Sequence, residues 1–185
     1  MKKKIIALLI AGVTLFSVTS CSNGSDDTPE PSQTEETPET SEYVSKEFSG
    51  LSFEIPSDAE YTESDESATI IFEDQKKVAV IVPTDTSELG DSLSEVWNEY
   101  AITSALSACE EIQNQQDSDI DIAGVNGKNT TAMVKLSDSW YSCSITSFTK
   151  DDLQCQYSIS YLVSTDADED NSAYESFMES IDFEE

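Results

Sequence analysis

The chain of 185 residues contains no histidine and no arginine. Histidine is the commonest general base and the commonest metal ligand, so its absence excludes a Ser-His-Asp or Cys-His site within this chain. Basic residues are scarce as well: nine lysines stand against 38 acidic residues, which gives a net charge of −29. A surface of this charge repels nucleic acid and anionic headgroups, so we expect no nucleic-acid partner.

The chain also lacks a long hydrophobic run. Its most apolar stretch, residues 5–16, is shorter than the ~20 apolar residues that a membrane-spanning helix needs. Three lysines precede it at residues 2–4, and the small residues of the segment 17–21, SVTSC, follow it. This order of a basic, an apolar and a small-residue segment is typical of a signal peptide.

Residues 18–21, Val-Thr-Ser-Cys, resemble the lipobox of bacterial lipoproteins. The resemblance implies that a dedicated peptidase removes residues 1–20 and that Cys21 becomes the acylated N-terminus. The expected location is therefore the extracytoplasmic face of a bacterial membrane, with the lipid bilayer bound through Cys21. Two acyl chains anchor a protein firmly, whereas one chain does so only marginally. The alternative is an ordinary secretory signal with an incidental cysteine.

Residues 21–43 are predicted to form a lipidated cysteine followed by a disordered acidic linker. Apart from Tyr43, residues 22–43 are small, polar, acidic or proline, and they cannot bury enough apolar surface to become ordered. A flexible coil of this length spans roughly 25 Å. Without its leader the chain keeps six lysines and all 38 acids, a net charge of −32.

Residues 44–185 have the length and apolar content of one domain, predicted to be α+β. The expected architecture is an antiparallel sheet of about six to seven strands with one long helix and one short C-terminal helix packed on it. The dipeptide Asn126-Gly127 is the strongest local turn signal, because both central residues of a type I′ turn take positive φ. The predicted strands are 48–56, 68–73, 78–82, 120–125, 128–136, 140–149 and 153–163, and the predicted helices are 92–116 and 172–180.

Two segments resemble the PsbP-like domains. Residues 50–56, GLSFEIP, resemble the start of such domains, and residues 177–183, FMESIDF, resemble their closing segment in a shortened form. The resemblance covers most of residues 46–185. It implies an α/β/α sandwich and a family whose members are mostly non-enzymatic binding or accessory proteins. It supplies no catalytic residues.

Residues 140–149 and 153–163 are predicted to pair as a long hairpin. Placing Cys143 opposite Ile159 puts the apolar residues of both strands on one face. The other face then carries a polar row that is either solvated or covered by a helix, or is a docking face for an envelope protein or a glycan. That row consists of Trp140, Ser142, Ser144, Thr146 and Phe148.

Three cysteines remain after Cys21, namely Cys109, Cys143 and Cys155. In the predicted register Cys143 and Cys155 lie about 13 Å apart along the strands, which exceeds the roughly 7 Å that a disulfide allows. An exported protein meets an oxidising environment, so a disulfide would join Cys109 to Cys143 or Cys155. The alternative is that all three are buried thiols.

The residues Asp166, Asp168 and Asp170 have the 1-3-5 spacing of a calcium loop. Asn171 stands where the turn glycine belongs and Phe177 where the bidentate glutamate belongs, so no metal site and no cofactor are predicted. The expected function is a non-catalytic binding or accessory role. The alternatives are a structural envelope protein without a small ligand, a weak calcium binder, or a hydrolase, for which the chain has no nucleophile motif.

Overall fold

The computed structural model describes residues 42–73, 76–87, 94–150 and 153–184. The predicted signal peptide, Cys21 and nearly all of the predicted linker lie outside the described residues. The described part contains two helices and ten strands. In chain order these elements are β1 (Tyr43–Phe48), β2 (Leu51–Pro56), β3 (Glu60–Glu63), β4 (Ala68–Glu73), β5 (Lys77–Asp85), α1 (Ser94–Leu106), β6 (Glu111–Ile122), β7 (Val125–Leu136), β8 (Ser139–Lys150), β9 (Cys155–Ser164), α2 (Ser172–Glu179) and β10 (Asp182–Phe183).

The strands form two antiparallel sheets. The large sheet has the order β3-β4-β5-β9-β8-β7-β6, and the small sheet has the order β1-β2-β10. The predicted class, antiparallel sheet with two helices, is confirmed. The small sheet is an addition that the sequence did not predict, and it places a second β-layer where only helices were expected.

The small sheet begins with a tight hairpin. Phe48 pairs with Leu51, and the two residues between them, Ser49 and Gly50, have φ of 51° and 81°. Positive φ at both central positions is the geometry of a type I′ turn. The single strand predicted over 48–56 is therefore two strands joined by a turn. Its alternating residues at 51, 53 and 55 are buried, as the pattern indicated.

Each face of the large sheet has a different cover. The small sheet and α2 pack on the face that carries Phe148, Tyr157 and Tyr161, which we call the aromatic face. Helix α1 packs on the opposite face, which we call the α1 face. Its apolar cluster is smaller and consists of Ile102, Ala105, Leu106, Ala132, Val134, Cys143 and Ile145.

Helix α1 is shorter than predicted. It covers Ser94–Leu106, whereas the prediction was 92–116, of which residues 92 and 93 lie outside the described part. Residues 111–116 belong to strand β6 instead and pair with β7. The helical spacing of apolar residues continued past 106 by coincidence, because Ile112 is an exposed strand residue.

The orientation of α1 also differs from the predicted stripe. Val96 and Tyr100 are 59% and 51% exposed, and Asn98 is buried in their place. Asn98 Oδ1 accepts hydrogen bonds from the hydroxyls of Ser147 and Thr149, both at 3.1 Å. The sheet beneath this end of the helix is polar, so a polar helix residue faces it.

The β6–β7 turn lies three residues before the predicted one. Ile122 pairs with Val125, and the turn residues Ala123 and Gly124 have φ of 49° and 80°. The carboxylate of Asp121 accepts a hydrogen bond from the Gly124 N–H at 3.0 Å. The type I′ geometry is therefore present at this hairpin, but at different residues.

The dipeptide Asn126-Gly127 lies inside β7, so the predicted turn is wrong. Close packing explains why a glycine occupies position 127. A Cβ at this position would lie 2.7 Å from the Ser147 carbonyl oxygen and 3.0 Å from the Phe148 Cβ. The close approach of two backbones removes the space for any side chain.

The predicted register of the last hairpin is wrong by three residues. Cys143 pairs with Leu162 rather than with Ile159, and Lys150 pairs with Cys155 across a longer loop. An odd displacement exchanges the two faces of a strand. Because both faces of the sheet are covered, the apolar pattern did not discriminate between the two registers.

Of the remaining predicted elements, Ala68–Glu73 and the C-terminal helix Ser172–Glu179 are confirmed. Strand β5 covers Lys77–Asp85 and is therefore longer than the predicted strand 78–82. Tyr174 and Phe177 of α2 are buried against the small sheet and the aromatic face.

Candidate functional site

A cleft of about 480 Å³ opens between the two layers at one end of the aromatic face. Its walls come from β1, the end of β2, β4, β5, β9 and α2. We call it the interlayer cleft. Its size lies within the range of small-ligand pockets, roughly 300–1,000 Å³.

Two stacked tyrosines line the cleft. The rings of Tyr161 and Tyr174 lie 3.7 Å apart at an interplanar angle of 5°. Phe72 stands nearly perpendicular to them, with its centroid 6.0 Å from that of Tyr161. Tyr43 adds a fourth ring from β1. Tyr161 and Tyr174 are nearly closed off from solvent, whereas Tyr43 and Phe72 are half-buried and open partly to the cleft.

The two tyrosine hydroxyls differ in their hydrogen bonding, because that of Tyr174 is buried without a hydrogen-bond partner among the described residues. Tyr161 OH donates to Asn171 Oδ1 at 3.0 Å, which ties β9 to the start of α2. Burial raises the pKa of Tyr174 far above its usual value, although the hydroxyls of Ser144 and Thr146 act in the opposite direction. Its phenol is therefore neutral at physiological pH.

A buried lysine stands beside the rings. Lys77 is 4% exposed, and its Nζ forms an ion pair with the Asp168 carboxylate and donates to the Asp170 carbonyl oxygen at 2.6 Å. A buried ammonium group is tolerated only with such partners. The adjacent Lys76 pairs with Asp166 at 3.6 Å. The two lysines thus hold the β9–α2 loop against β5.

Carboxylates dominate the charge of the cleft. Glu42, Asp58, Asp168 and Asp170 line it, against Lys77 as the one ammonium group among its described residues. The Ser172 N–H donates to the Asp170 carboxylate at 2.9 Å, and this hydrogen bond lowers the pKa of Asp170. The cleft is therefore negatively charged at neutral pH.

The residues with calcium-loop spacing have other partners. Asp166 and Asp168 pair with lysines, and Asp170 accepts from the backbone of Ser172. In the part of the chain that the structure describes, no group of three or more His, Cys, Asp or Glu side chains is placed to hold a metal ion. The weak calcium site considered as an alternative has no geometric support.

The polar row proposed as a docking face is divided by the fold. Thr146 and Phe148 are buried in the aromatic face and are not accessible to a partner. Trp140 and Ser144 are half-buried, and Ser142 is exposed. Docking at the exposed end stays a prediction.

The three described cysteines are free thiols. Cys109 and Cys143 both belong to the apolar cluster of the α1 face. Burial and the nearby Cys109 thiol raise the pKa of Cys143 to about 12. Cys155 lies seven residues along β9 from the partner of Cys143, a distance of roughly 23 Å. A disulfide stays a prediction, and the structure favours Cys109–Cys143 over the pairing with Cys155.

A second depression of about 390 Å³ lies on the α1 face, beside β6 and β7. Two of its carboxylates already have partners: Asp117 accepts from the Thr130 hydroxyl at 2.7 Å, and Asp119 pairs with Lys128 at 2.6 Å. Its described lining contains no aromatic ring. It offers a ligand less apolar surface than the interlayer cleft.

The sequence did not reveal the interlayer cleft. Its four rings come from positions 43, 72, 161 and 174, which no short motif connects. One local signal was present: the lysine pair at residues 76–77 opens an apolar strand, where a charged residue needs a partner. No local pattern indicates where that partner lies.

No helix in the described ranges is long and apolar enough to cross a bilayer. No family model matches the chain, and no curated protein matches it. Its described fold can therefore be compared with solved structures alone.

The solved structures that are similar to this chain include two whose matches cover about three quarters of it. One is the solution structure of cyanobacterial PsbP (CyanoP) from Synechocystis sp. PCC 6803, with a TM-score of 0.56 and 10% identity, covering 77% of this chain and 91% of that chain. The other is a crystal structure from Bacteroides thetaiotaomicron VPI-5482, with a TM-score of 0.51 and 12% identity. The match covers 74% of this chain but only 46% of that chain. At these identities the likeness establishes a PsbP-like fold and carries no ligand or partner with it.

Proposed function

We propose that this protein is a non-catalytic binding lipoprotein, anchored through acylated Cys21 at the extracytoplasmic face of a bacterial membrane. In this proposal a ligand or a partner's side chain enters the interlayer cleft. The observation that carries it is the cleft itself, a concave site with four aromatic rings and a fixed set of charged groups. The lipobox-like residues 18–21 support the anchor.

Binding fits the cleft better than catalysis does. General acid–base chemistry needs a positioned group whose pKa lies near the working pH. The pKa of Tyr174 is raised far above that range, and the pKa of Asp170 is lowered below its usual value. Lys77 is buried and engaged with Asp168. The Ser172 hydroxyl is hydrogen-bonded to the Asp170 carboxylate, but the lowered pKa of Asp170 makes this carboxylate a weak base.

The anchor is tested by metabolic labelling with a fatty acid in a bacterial host. The full chain is expected to incorporate label and to fractionate with membranes. The Cys21→Ser variant is expected to lose the label while keeping the same folded domain. Label on the Cys21→Ser chain, or none on the parent chain, would remove the lipoprotein part of the proposal.

The cleft is tested by site-specific photocrosslinking in living cells. A photoreactive amino acid replaces Asp58 at the cleft rim, and a matched variant carries it at Asp65, an exposed acid in the β3–β4 turn. We expect a discrete crosslinked product from position 58 only. Equal products from both positions would show that the cleft does not direct binding.

A further inference from the structure

The carboxylates of the interlayer cleft outnumber its ammonium groups. Four carboxylates line it, and its one described ammonium group, on Lys77, is already engaged by Asp168 and the Asp170 carbonyl oxygen. Asp58 and Glu42 are exposed at the rim. A ligand that enters the cleft meets an excess of negative charge and is favoured if it is cationic.

Charge alone does not single out this cleft, because the whole chain is acidic and the depression beside β6 is acidic too. The difference lies in the rings. The stacked pair Tyr161–Tyr174 closes the base of the cleft, and Phe72 stands at 88° to Tyr161. The face of an aromatic ring carries negative potential and attracts a cation within about 6 Å.

The protein uses this contact elsewhere. The Lys46 ammonium lies 5.1 Å from the centroid of the Tyr61 ring, and the Lys150 ammonium lies 5.2 Å from that of Phe183. The first contact joins β1 to β3, and the second joins β8 to β10, so both lie outside the cleft. Contacts between an ammonium group and a ring face therefore already occur in this fold.

The chemistry of the lining selects an organic cation over a metal ion. Calcium and magnesium require several oxygen ligands converging on one point, and the described carboxylates do not converge in this way. Aromatic rings add nothing to a hard cation of that kind. An ammonium group that carries alkyl substituents is weakly hydrated, and it gains from both rings and carboxylates.

We infer that the interlayer cleft binds an alkylated ammonium group, held by the rings of Tyr43 and Phe72 and by the carboxylates of Glu42 and Asp58. This inference rests on the proposed binding function and names the ligand class for its site. Tyr161 and Tyr174 form the base of the site. The ligand class covers free quaternary amines and methylated lysine side chains of a partner, which share the same headgroup.

The test uses the full mature chain with Cys21→Ser, titrated calorimetrically with choline. The comparison ligand is 3,3-dimethyl-1-butanol, in which a neutral carbon replaces the ammonium nitrogen. We expect choline to bind at least about 10-fold more tightly than the neutral isostere. Tyr43→Leu removes the ring but keeps an apolar side chain, and we expect it to weaken choline binding roughly 5-fold.

Matched variants separate the site from general acidity. Asp58→Asn is expected to weaken choline binding, whereas Asp65→Asn removes the same charge away from the cleft and is expected to leave it unchanged. Tyr100→Leu, at an exposed ring on α1, is the control for Tyr43→Leu. Circular dichroism and thermal melts establish that each variant is folded.

Three results would overturn the inference. Equal affinity for choline and its isostere, lost in Tyr43→Leu, would show an apolar ligand and leave the proposed binding function intact. Equal weakening by Asp58→Asn and Asp65→Asn would show attraction to a diffuse charge. No choline binding by a folded chain would remove the ligand class, and crosslinking at position 58 would then decide separately whether the cleft binds anything.

Discussion

The two faces of the large sheet are covered in different ways. On the aromatic face the small sheet and α2 bring apolar and aromatic side chains into contact, and Phe53, Phe177 and Tyr157 are almost fully buried. On the α1 face the apolar cluster is smaller, and buried polar residues continue it, namely Asn98, Thr130, Ser147, Gln156, Ser158 and Ser160. Apolar packing holds the small sheet and α2 on the aromatic face, whereas hydrogen bonds position α1 on the α1 face.

Part of the polar surface of the α1 face is a connected hydrogen-bond network, whereas the buried hydroxyls of Ser158 and Ser160 have no hydrogen-bond partner among the described residues. Gln156 Nε2 donates to Ser147 Oγ at 2.8 Å, and Ser147 Oγ donates to Asn98 Oδ1 at 3.1 Å. A buried hydrogen bond contributes only about 1 kcal/mol, but leaving a partner unpaired costs more. The small sheet and α2 therefore stabilise the domain, whereas the polar network determines the position of α1.

The largest expected effect comes from a matched pair of isoleucines on opposite faces. Ile159→Ala on the aromatic face should cost about 4 kcal/mol, and Ile145→Ala on the α1 face should cost about 2.5 kcal/mol, since α1 can settle into the space more readily than two packed layers can. Urea denaturation measures both free energies of unfolding. Equal losses would show that α1 is packed as tightly as the small sheet.

Next comes the close approach at Gly127. Gly127→Ala should cost about 3 kcal/mol, because its Cβ would overlap the Ser147 carbonyl oxygen at 2.7 Å. Gly124→Ala is the matched control: nothing lies within 4 Å of its Cβ, and only its φ of 80° opposes the change. We expect a cost of about 1 kcal/mol there. A larger loss at Gly124 would contradict the packing argument.

The polar network gives the third effect. Asn98→Ala removes the acceptor of the Ser147 and Thr149 hydroxyls and should cost about 2 kcal/mol. Asn126→Ala changes an exposed asparagine in β7 and should alter stability by less than about 0.5 kcal/mol. Thermal melts measure the stability of both variants. A neutral Asn98→Ala would mean that the network does not position α1.

The fourth effect concerns the charged end of the aromatic face. Asp168→Asn leaves the Lys77 ammonium buried without its carboxylate and should cost about 1 kcal/mol, a value reduced because Asp168 is 56% exposed. Lys77→Met removes the buried charge and leaves Asp168 to water, so it should cost less than Asp168→Asn. The reverse order in denaturant midpoints would show that the ion pair itself stabilises the fold.

The smallest effect is chemical. With its pKa raised to about 12 by burial, Cys143 should resist alkylation at neutral pH in the folded protein. Cys109 is half-buried, and we expect it to react faster. Mass spectrometry of a time course of alkylation under native conditions compares the alkylation rates of Cys109 and Cys143. A denatured and reduced sample is the control. Loss of two hydrogens from the intact mass would instead reveal a disulfide, and a peptide that links Cys109 to Cys143 after proteolysis would identify the pair.

The elements that the sequence predicted correctly have one solvated face. Helix α2 shows its buried Tyr174 and Phe177 at helical spacing, and β2 shows alternating burial of Leu51 and Phe53. In such segments the apolar pattern has a single interpretation. The antiparallel class and the C-terminal helix were predictable for this reason.

The error in strand register arises where both faces of the sheet are covered. Strands β8 and β9 carry apolar residues on each side, so a shift of three residues in register still left a plausible pattern. The glycine of Asn126-Gly127 has a tertiary cause, the approach of Ser147, which no local rule contains. The site was unpredictable because Tyr43, Phe72 and Tyr161 meet only once both layers have assembled.

Strand β6 ends the large sheet and pairs, among the described strands, with β7 alone. Its outer backbone groups therefore offer a 12-residue template to a strand of another molecule. Asp117, Asp119 and Asp121 are exposed along it, and their charges oppose such contact. This Coulomb barrier weakens with added salt and vanishes as the pH approaches the isoelectric point near 4.1. The colloidal stability of the protein is thus set by its acids, independently of how firmly its core is packed.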